Sequence, residues 1–240
     1  MIRLLLFTPF LMLATMLGAP LLIWAGVISP LGGFGATMGS WVVGAGAGLL
    51  CGLIGAFKPD TRPLAWRALA VGVVLAGSLS VVGSRMQTIP IHDVTTDLVD
   101  PPEFTVALAH PDTEGRDLRY PHGDPETRAL QRRHYPDLRS TVFCNDDIED
   151  VWQRALAATE AMGWNVTRAD AAERVIEAEA TSRVFRFVDD VVVRMRGTDG
   201  GCVNVDMRST SRVGRSDLGA NAARIVEFLE SLKRSAQQTA

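Results

Sequence analysis

Residues 191–208 read VVVRMRGTDGGCVNVDMR. Two alternating runs flank a glycine-rich turn, Gly197-Thr198-Asp199-Gly200-Gly201, and that pattern is a β-hairpin. Successive side chains of a strand point to opposite faces of the sheet. With the pairing centred on Asp199, Met195 faces Val203, Val193 faces Val205 and Val191 faces Met207, so six apolar side chains share one face. Arg194, Arg196, Asn204 and Arg208 take the other face. A hairpin that is apolar on one side only needs helices to cover that side.

The flanking sequence supplies them. After Asn145-Asp146-Asp147, the residues Ile148, Val151, Trp152, Ala155, Leu156 and Met162 recur at spacings of three and four, and Gly163 follows as a stop. Acidic residues at the start of this helix suit its positive end. A second stripe, Leu218, Ala222, Ile225, Leu229 and Leu232, runs along a helix from about Asp217 to Arg234. Between and before them, Trp164–Thr167, Arg174–Ala180 and Val184–Val188 read as strands, and Cys144 ends another. The expected order is β-α-β-β-β-β-α, an antiparallel sheet with two helices on one face. Roughly 150 residues suffice for such a core. Upstream, residues 84–140 lack periodicity. Ile89 to Phe104 contains Pro90, Pro101 and Pro102 and reads as extended. A short helix is expected from Asp124 as cap and Pro125 as first residue, ending before Pro136.

The first third of the chain is of another kind. Only Arg3, Lys58, Arg62, Arg67 and Asp60 are charged before position 84. Apolar stretches at about 4–28, 31–57 and 64–83 are each long enough to cross some 30 Å of hydrocarbon as a helix. The first is too long for the apolar core of a secretion signal. Residues 1–84 therefore read as a three-helix transmembrane region, and 85–240 as a soluble α+β domain. Lys58, Arg62 and Arg67 cluster around the turn between spans two and three, while Ser29-Pro30 carries no charge. Short basic loops stay in the cytoplasm, so the expectation is a multi-pass protein of the cell inner membrane with its soluble domain extracytoplasmic, in the periplasm or cell envelope. Gly44, Gly48 and Gly52 line one face of span two. That face serves close packing against the other spans, or a homodimer with a second copy. No buried acid, histidine or charge pair marks a transport path, so the spans read as an anchor in the lipid bilayer.

Beyond position 84 the chain holds 20 basic and 26 acidic residues. Nucleic acid is excluded as a partner, because phosphate contacts need clustered positive charge. His92, His110, His122 and His134 are spaced 18, 12 and 12 apart, unlike close metal-ligand pairs, so no metal and no other cofactor is expected. Ser209, Ser211, Ser216 and His92-Asp93 come without a nucleophile elbow, and no catalytic residue is assigned. The candidate site is the segment entering the last helix. Arg208 and Arg212 precede Ser216 and Asp217 at a helix start, with Asn221 one turn on, and guanidinium forks beside free helix amides suit a lipid headgroup or anionic small molecule. His92 and Asp93 join this ligand-binding set. The structural alternative has Ser216 or Asp217 capping the helix and the arginines pairing with Asp189, Asp190 or Asp206. Cys51 lies within span two, whereas Cys144 and Cys202 can bridge if their Cα atoms lie within 7 Å.

Several stretches together resemble one family. They are Ile91-His92-Asp93-Val94-Thr95-Thr96-Asp97 with Pro101-Pro102-Glu103-Phe104, then Tyr135-Pro136-Asp137-Leu138, Phe187-Val188-Asp189-Asp190-Val191, and Arg208 through Asn221. Over about residues 88–234 the chain is similar to the domain-of-unknown-function family 1499. Its members often carry N-terminal spans, and the resemblance carries over no catalytic residue. The expected function is an envelope protein whose soluble domain binds a lipid-like or anionic ligand. A structural or protein-interaction role is the alternative, with a hydrolase third.

Overall fold

A computed structural model describes residues 2–84, 86, 89–111, 118, 125–214 and 216–239. The chain divides into two compact units, Met1–Met86 with Arg183–Arg186, and Gln87–Ser182 with Phe187–Ala240.

The first unit contains α1 (Ile2–Leu5), α2 (Thr8–Trp24), α3 (Pro30–Phe57) and α4 (Arg62–Gly83). Three helices are long and apolar enough to cross a membrane, Arg3–Trp24, Pro30–Phe57 and Pro59–Gly83. The first ends four residues before the expected Ile28, because Gly26 turns left-handed at φ +69°. Ser29 then caps α3 by accepting from the Gly32 amide, with Pro30 as first helical residue. Outward-facing side chains such as Leu11, Val42, Leu53 and Val74 are exposed and apolar.

Glycine lets α3 and α4 meet backbone to backbone. A Cβ on Gly48 would lie 2.5 Å from the Cα of Gly72, and one on Gly44 would lie 2.4 Å from a Leu75 methyl. Gly52 faces Leu69. The glycine stripe thus packs within the chain. Buried hydroxyls in this unit return to their own helix, Thr37 to the Gly33 carbonyl and Ser40 to the Ala36 carbonyl. Between helices, the Trp41 indole donates to Ser78 at 3.1 Å. Arg62 Nε donates to the Gly55 carbonyl at 3.1 Å, satisfying an acceptor in the last turn of α3.

The second unit contains β1 (Asp93–Thr95), α5 (Pro125–His134), β2 (Thr141–Cys144), α6 (Ile148–Ala161), β3 (Asn165–Asp170), β4 (Val175–Thr181), β5 (Val188–Gly197), β6 (Cys202–Ser211) and α7 (Ala220–Thr239). From β2 onward this is the expected β-α-β-β-β-β-α order. The sheet runs β1-β6-β5-β4-β3, entirely antiparallel, and β2 shares the outer edge of β6 with β1. The extended segment before position 104 therefore contributes a strand of its own.

Three local expectations shift. The hairpin pairs Met195 with Val205 and Val193 with Met207, two residues along from a centre at Asp199. The cause is Gly201, left-handed at φ +71°, which donates to the Thr198 carbonyl and adds a residue to the turn. A shift of two preserves the faces, so Val191, Val193, Met195, Val203, Val205 and Met207 are all buried together. Val184–Val188 does not form a strand. Residues 183–185 are a turn, Arg186 has φ +56°, and β5 begins only at Val188. The last helix begins at Ala220 rather than Asp217, since Leu218 and Gly219 both have positive φ. The capping role expected of Asp124 falls outside the described residues.

On the apolar face, Val151, Trp152 and Ala155 of α6 and Ile225, Phe228, Leu229 and Leu232 of α7 complete one core. Trp164 stacks on Phe228 with ring centroids 5.6 Å apart. Asp147 caps α6 by accepting from the Glu149 amide at 2.7 Å. Cys144 and Cys202 are directly paired across β2 and β6 and form a disulfide, with Cα atoms 4.2 Å apart.

Replacing Gly48 tests the helix contact. Gly48→Leu must push α4 away and should abolish a monodisperse, folded protein in detergent. Gly46→Leu, at a position with nothing within 4 Å of the added Cβ, should behave as the parent in size-exclusion and thermal-melting measurements.

Candidate functional site

The second face of the sheet is built of charge. Glu177 and Glu179 of β4, Asp190, Arg194 and Arg196 of β5, and Asp206 and Arg208 of β6 alternate with the core residues. Such groups stay buried only when paired and fully hydrogen-bonded. Here the partners come from neighbouring strands and from the segment following β1.

Arg208 has no exposed surface. Its Nε and Nη2 donate to the two oxygens of Asp93 at 2.9 and 2.6 Å. Nη2 also reaches the Leu118 carbonyl at 2.7 Å, and Nη1 the Pro102 carbonyl at 3.3 Å. The Phe104 ring covers the guanidinium at 4.8 Å and joins Ala107, Leu118 and Val192 in a small second core. Glu177, also buried, accepts from the amides of Thr105, Val106 and Ala107, at the start of the short 3-10 turn Ala107–Ala109. Asp206 accepts from Ser140 at 2.5 Å, Asn204 at 3.0 Å, Arg194 at 3.1 Å and Arg196 at 2.8 Å. Arg194 donates onward to the Asp100 carbonyl, and Arg196 pairs with Asp97 and the Asp100 carboxylate. Residues 96–111 thus form a strap, clipped to the sheet by side chains that end on its carbonyls, amides and carboxylates.

Arg212 is held in the same manner. Its Nε and Nη2 donate to Asp190 at 3.0 and 2.7 Å, and Nη2 to Glu179 at 2.5 Å. The bonds to Asp190, and then those to Glu179, hold its guanidinium above the ordinary arginine range despite burial. Glu179 is pulled both ways. Burial would raise its carboxyl, but hydrogen bonds from Asn165 and Arg212, with the Arg212 and His110 charges, leave it lowered.

On the helical face, Asn221 is fully buried and joins three elements. Its Nδ2 donates to the His92 carbonyl and to Ser211, and its Oδ1 accepts from Ser209 and Arg224. Arg224 in turn pairs with Asp189 at 2.6 Å. Asp217 accepts from the amides of Gly219 and Asn221, and Ser216 faces the Leu218 amide at 3.4 Å. The structure therefore gathers the seven residues singled out by sequence around the second half of β6, but on two faces. Asp93, Arg208 and Arg212 lie on the strapped face and Asn221 lies under α7, while Ser216 and Asp217 arrange the helix entry. The side chains of six of them, and the His92 carbonyl, are engaged by the fold itself. Among the described residues no group of three His, Cys, Asp or Glu side chains is disposed around a metal position, and His122 lies outside those residues.

Open space lies elsewhere. Between α7 and the chain running from His134 into β2 is a groove of about 900 Å³. Tyr135, Leu138, Val142, Ala222, Ala223 and Val226 contribute apolar surface, Asp137, Arg139, Glu227, Glu230 and Lys233 the charges, and His134 an imidazole. A smaller pocket of about 340 Å³ adjoins it, lined by Thr96, Leu98 and Arg132 and sharing Tyr135, Pro136, Leu138 and Arg139 with the groove. Burial, and secondarily the Asp217 charge, raise the Tyr135 phenol, which stays protonated as a donor. Of these residues, the sequence pointed to Thr96, His134, the Tyr135–Leu138 motif, Ala222 and Leu229, none of them as part of a site. The basic run Arg128, Arg132, Arg133, His134 and Arg139 was the signal available for the rest.

Three apolar helices with a strapped antiparallel sheet under two helices define a membrane-associated α+β protein. The chain belongs to the DUF1499 family, described as proteins of unknown function, whose model matches residues 93–232. The match begins at Asp93, the partner of Arg208, and ends at Leu232, a buried residue of α7. No curated protein matches the chain.

Removing one member of a buried charge network strands the others. Arg212→Ala leaves Asp190 buried without its cation and should cost about 3–5 kcal/mol, a fall in melting temperature of roughly 10 °C for a domain of this size. The ionised form of Glu179 is favoured by folding. Its contribution is therefore complete above the unfolded carboxylate value and is lost as pH falls through the depressed folded one. Melting curves from pH 7 to pH 3 should show that acid-side loss in the parent, and less of it in Arg212→Ala.

Proposed function

We propose that this chain is a multi-pass protein of the cell inner membrane, whose extracytoplasmic domain binds an amphipathic, lipid-like ligand in the groove between α7 and β2. The observation that carries this reading is the groove itself: about 900 Å³, open, with apolar surface between charged rims, in a domain whose sheet arginines are already paired with carboxylates. Ligand sites combine such apolar surface with a few polar groups. The orientation rests on the basic turn around Lys58 and Arg62 and is favoured by the Cys144–Cys202 bridge, since structural disulfides belong to oxidising compartments.

A protein-interaction role is the second reading. Val142 and Val226 are exposed beside the groove, and among the described residues β2 pairs with β6 alone.

Two measurements bear on this. Alkylation of Cys144 and Cys202 in protein taken from its native membrane should occur only after reduction. Modification without reductant would place the domain in a reducing compartment. Mass spectrometry of small molecules extracted from the purified full chain should recover an amphiphile from the parent and little from Ala223→Trp, which fills the groove from an exposed position. Equal recovery from both, or none from the parent, would sink the groove as its site.

A further inference from the structure

We propose that the smaller pocket is a headgroup site, and that the ligand is a phosphate-headed lipid whose phosphate sits between Arg132 and Arg139 while its acyl portion lies in the adjoining groove. This rests on the reading of the groove as an amphiphile site and names the chemistry of the occupant.

The argument is one of charge. The arginines of the sheet and of α7's first turns are paired: Arg168 with Asp170 and Glu177, Arg194 and Arg196 with Asp206, Arg208 with Asp93, Arg212 with Asp190, and Arg224 with Asp189. Arg132 and Arg139 have no carboxylate partner among the described residues, within a soluble portion whose acids outnumber its bases. Both line the smaller pocket, and among the described residues none that lines it is acidic. Arg139 is steadied by Nε, which donates to the Pro136 carbonyl at 3.2 Å. Tyr135 also lines the pocket, as does Thr96, whose hydroxyl accepts from the Met207 amide.

Two guanidinium groups match a phosphate monoester carrying about −1.5 to −2 charges, and their planar forks suit its oxygens. At about 340 Å³ the pocket has room for a phosphate head. Because Tyr135, Leu138 and Arg139 border both spaces, a molecule with its head in the smaller pocket can run directly into the groove. The acids of the groove, Asp137, Glu227 and Glu230, lie on the larger space only, where they repel a second anionic group.

Native mass spectrometry of the full chain in a nonionic detergent tests this. The probes are phosphatidic acid, phosphatidylcholine with the same acyl chains, a fatty acid of the same length, and inorganic phosphate. The parent should bind phosphatidic acid tightest of the four. Arg132→Gln with Arg139→Gln should weaken phosphatidic acid by about 10- to 100-fold, to the level of phosphatidylcholine. Both positions are exposed, so the melting temperature of this variant should equal the parent's. Equal binding of both phospholipids by the parent, or no change in the double variant, overturns the headgroup site while leaving the groove reading intact. Fatty acid binding as tightly as phosphatidic acid overturns the phosphate head. Inorganic phosphate binding as tightly overturns the lipid as occupant. Lipid binding unaffected by Ala223→Trp overturns the groove reading itself.

Discussion

A guanidinium with no exposed surface sits on the charged face of the sheet at Arg208, and water cannot solvate it there. It persists because Asp93 takes two of its N–H groups, two carbonyls take others, and Phe104 closes over its plane. The partners are Asp93, Pro102, Phe104 and Leu118, so the condition for burying this one charge is that residues 93–104 and Leu118 be drawn over the sheet. Without Asp93 the charge would be stranded, and without Arg208 the segment would lose its central clip.

The same logic repeats along the strap. Glu177 offers a carboxylate to three successive amides at the start of a 3-10 turn, where unpaired donors are concentrated. Asp206 gathers two arginines that continue to Asp97 and Asp100. A segment poor in helix or strand periodicity acquires a defined path because its backbone groups are the missing partners of buried side chains. On the opposite face, Asn221 and Arg224 play the corresponding part between α7, β1 and β6. The sheet is thus an apolar core on one side with a polar clasp at its end, and a polar layer on the other.

That division explains where ligand chemistry has room. Arg208 and Arg212 are bound into the fold, and altering them alters stability first. Arg132 of α5 and Arg139 of the following turn have no carboxylate partner among the described residues, and they stand beside the spaces that the helices leave unfilled. In the membrane unit, the glycine stripe of α3 is consumed in contact with α4, which leaves the outward surface to large aliphatic side chains.

Much of this was legible in the sequence. The three apolar stretches, the helices at Ile148 and before Leu232, and the two-faced hairpin follow from local periodicity, which depends only on neighbouring residues. The hairpin's faces survived a two-residue change of register because strand periodicity is two. What tertiary structure decided was partnership. Nothing in the spacing of Asp93 and Arg208, 115 residues apart, reveals that they meet, and nothing near Arg212 says that Asp190 and Glu179 already hold it. A run of arginine before a helix looks the same whether its forks await a ligand or are closed by acids from distant strands. The distinction is made by burial, which forces each charge to find its partner inside the fold, and burial exists only once the sheet, the strap and α7 have come together.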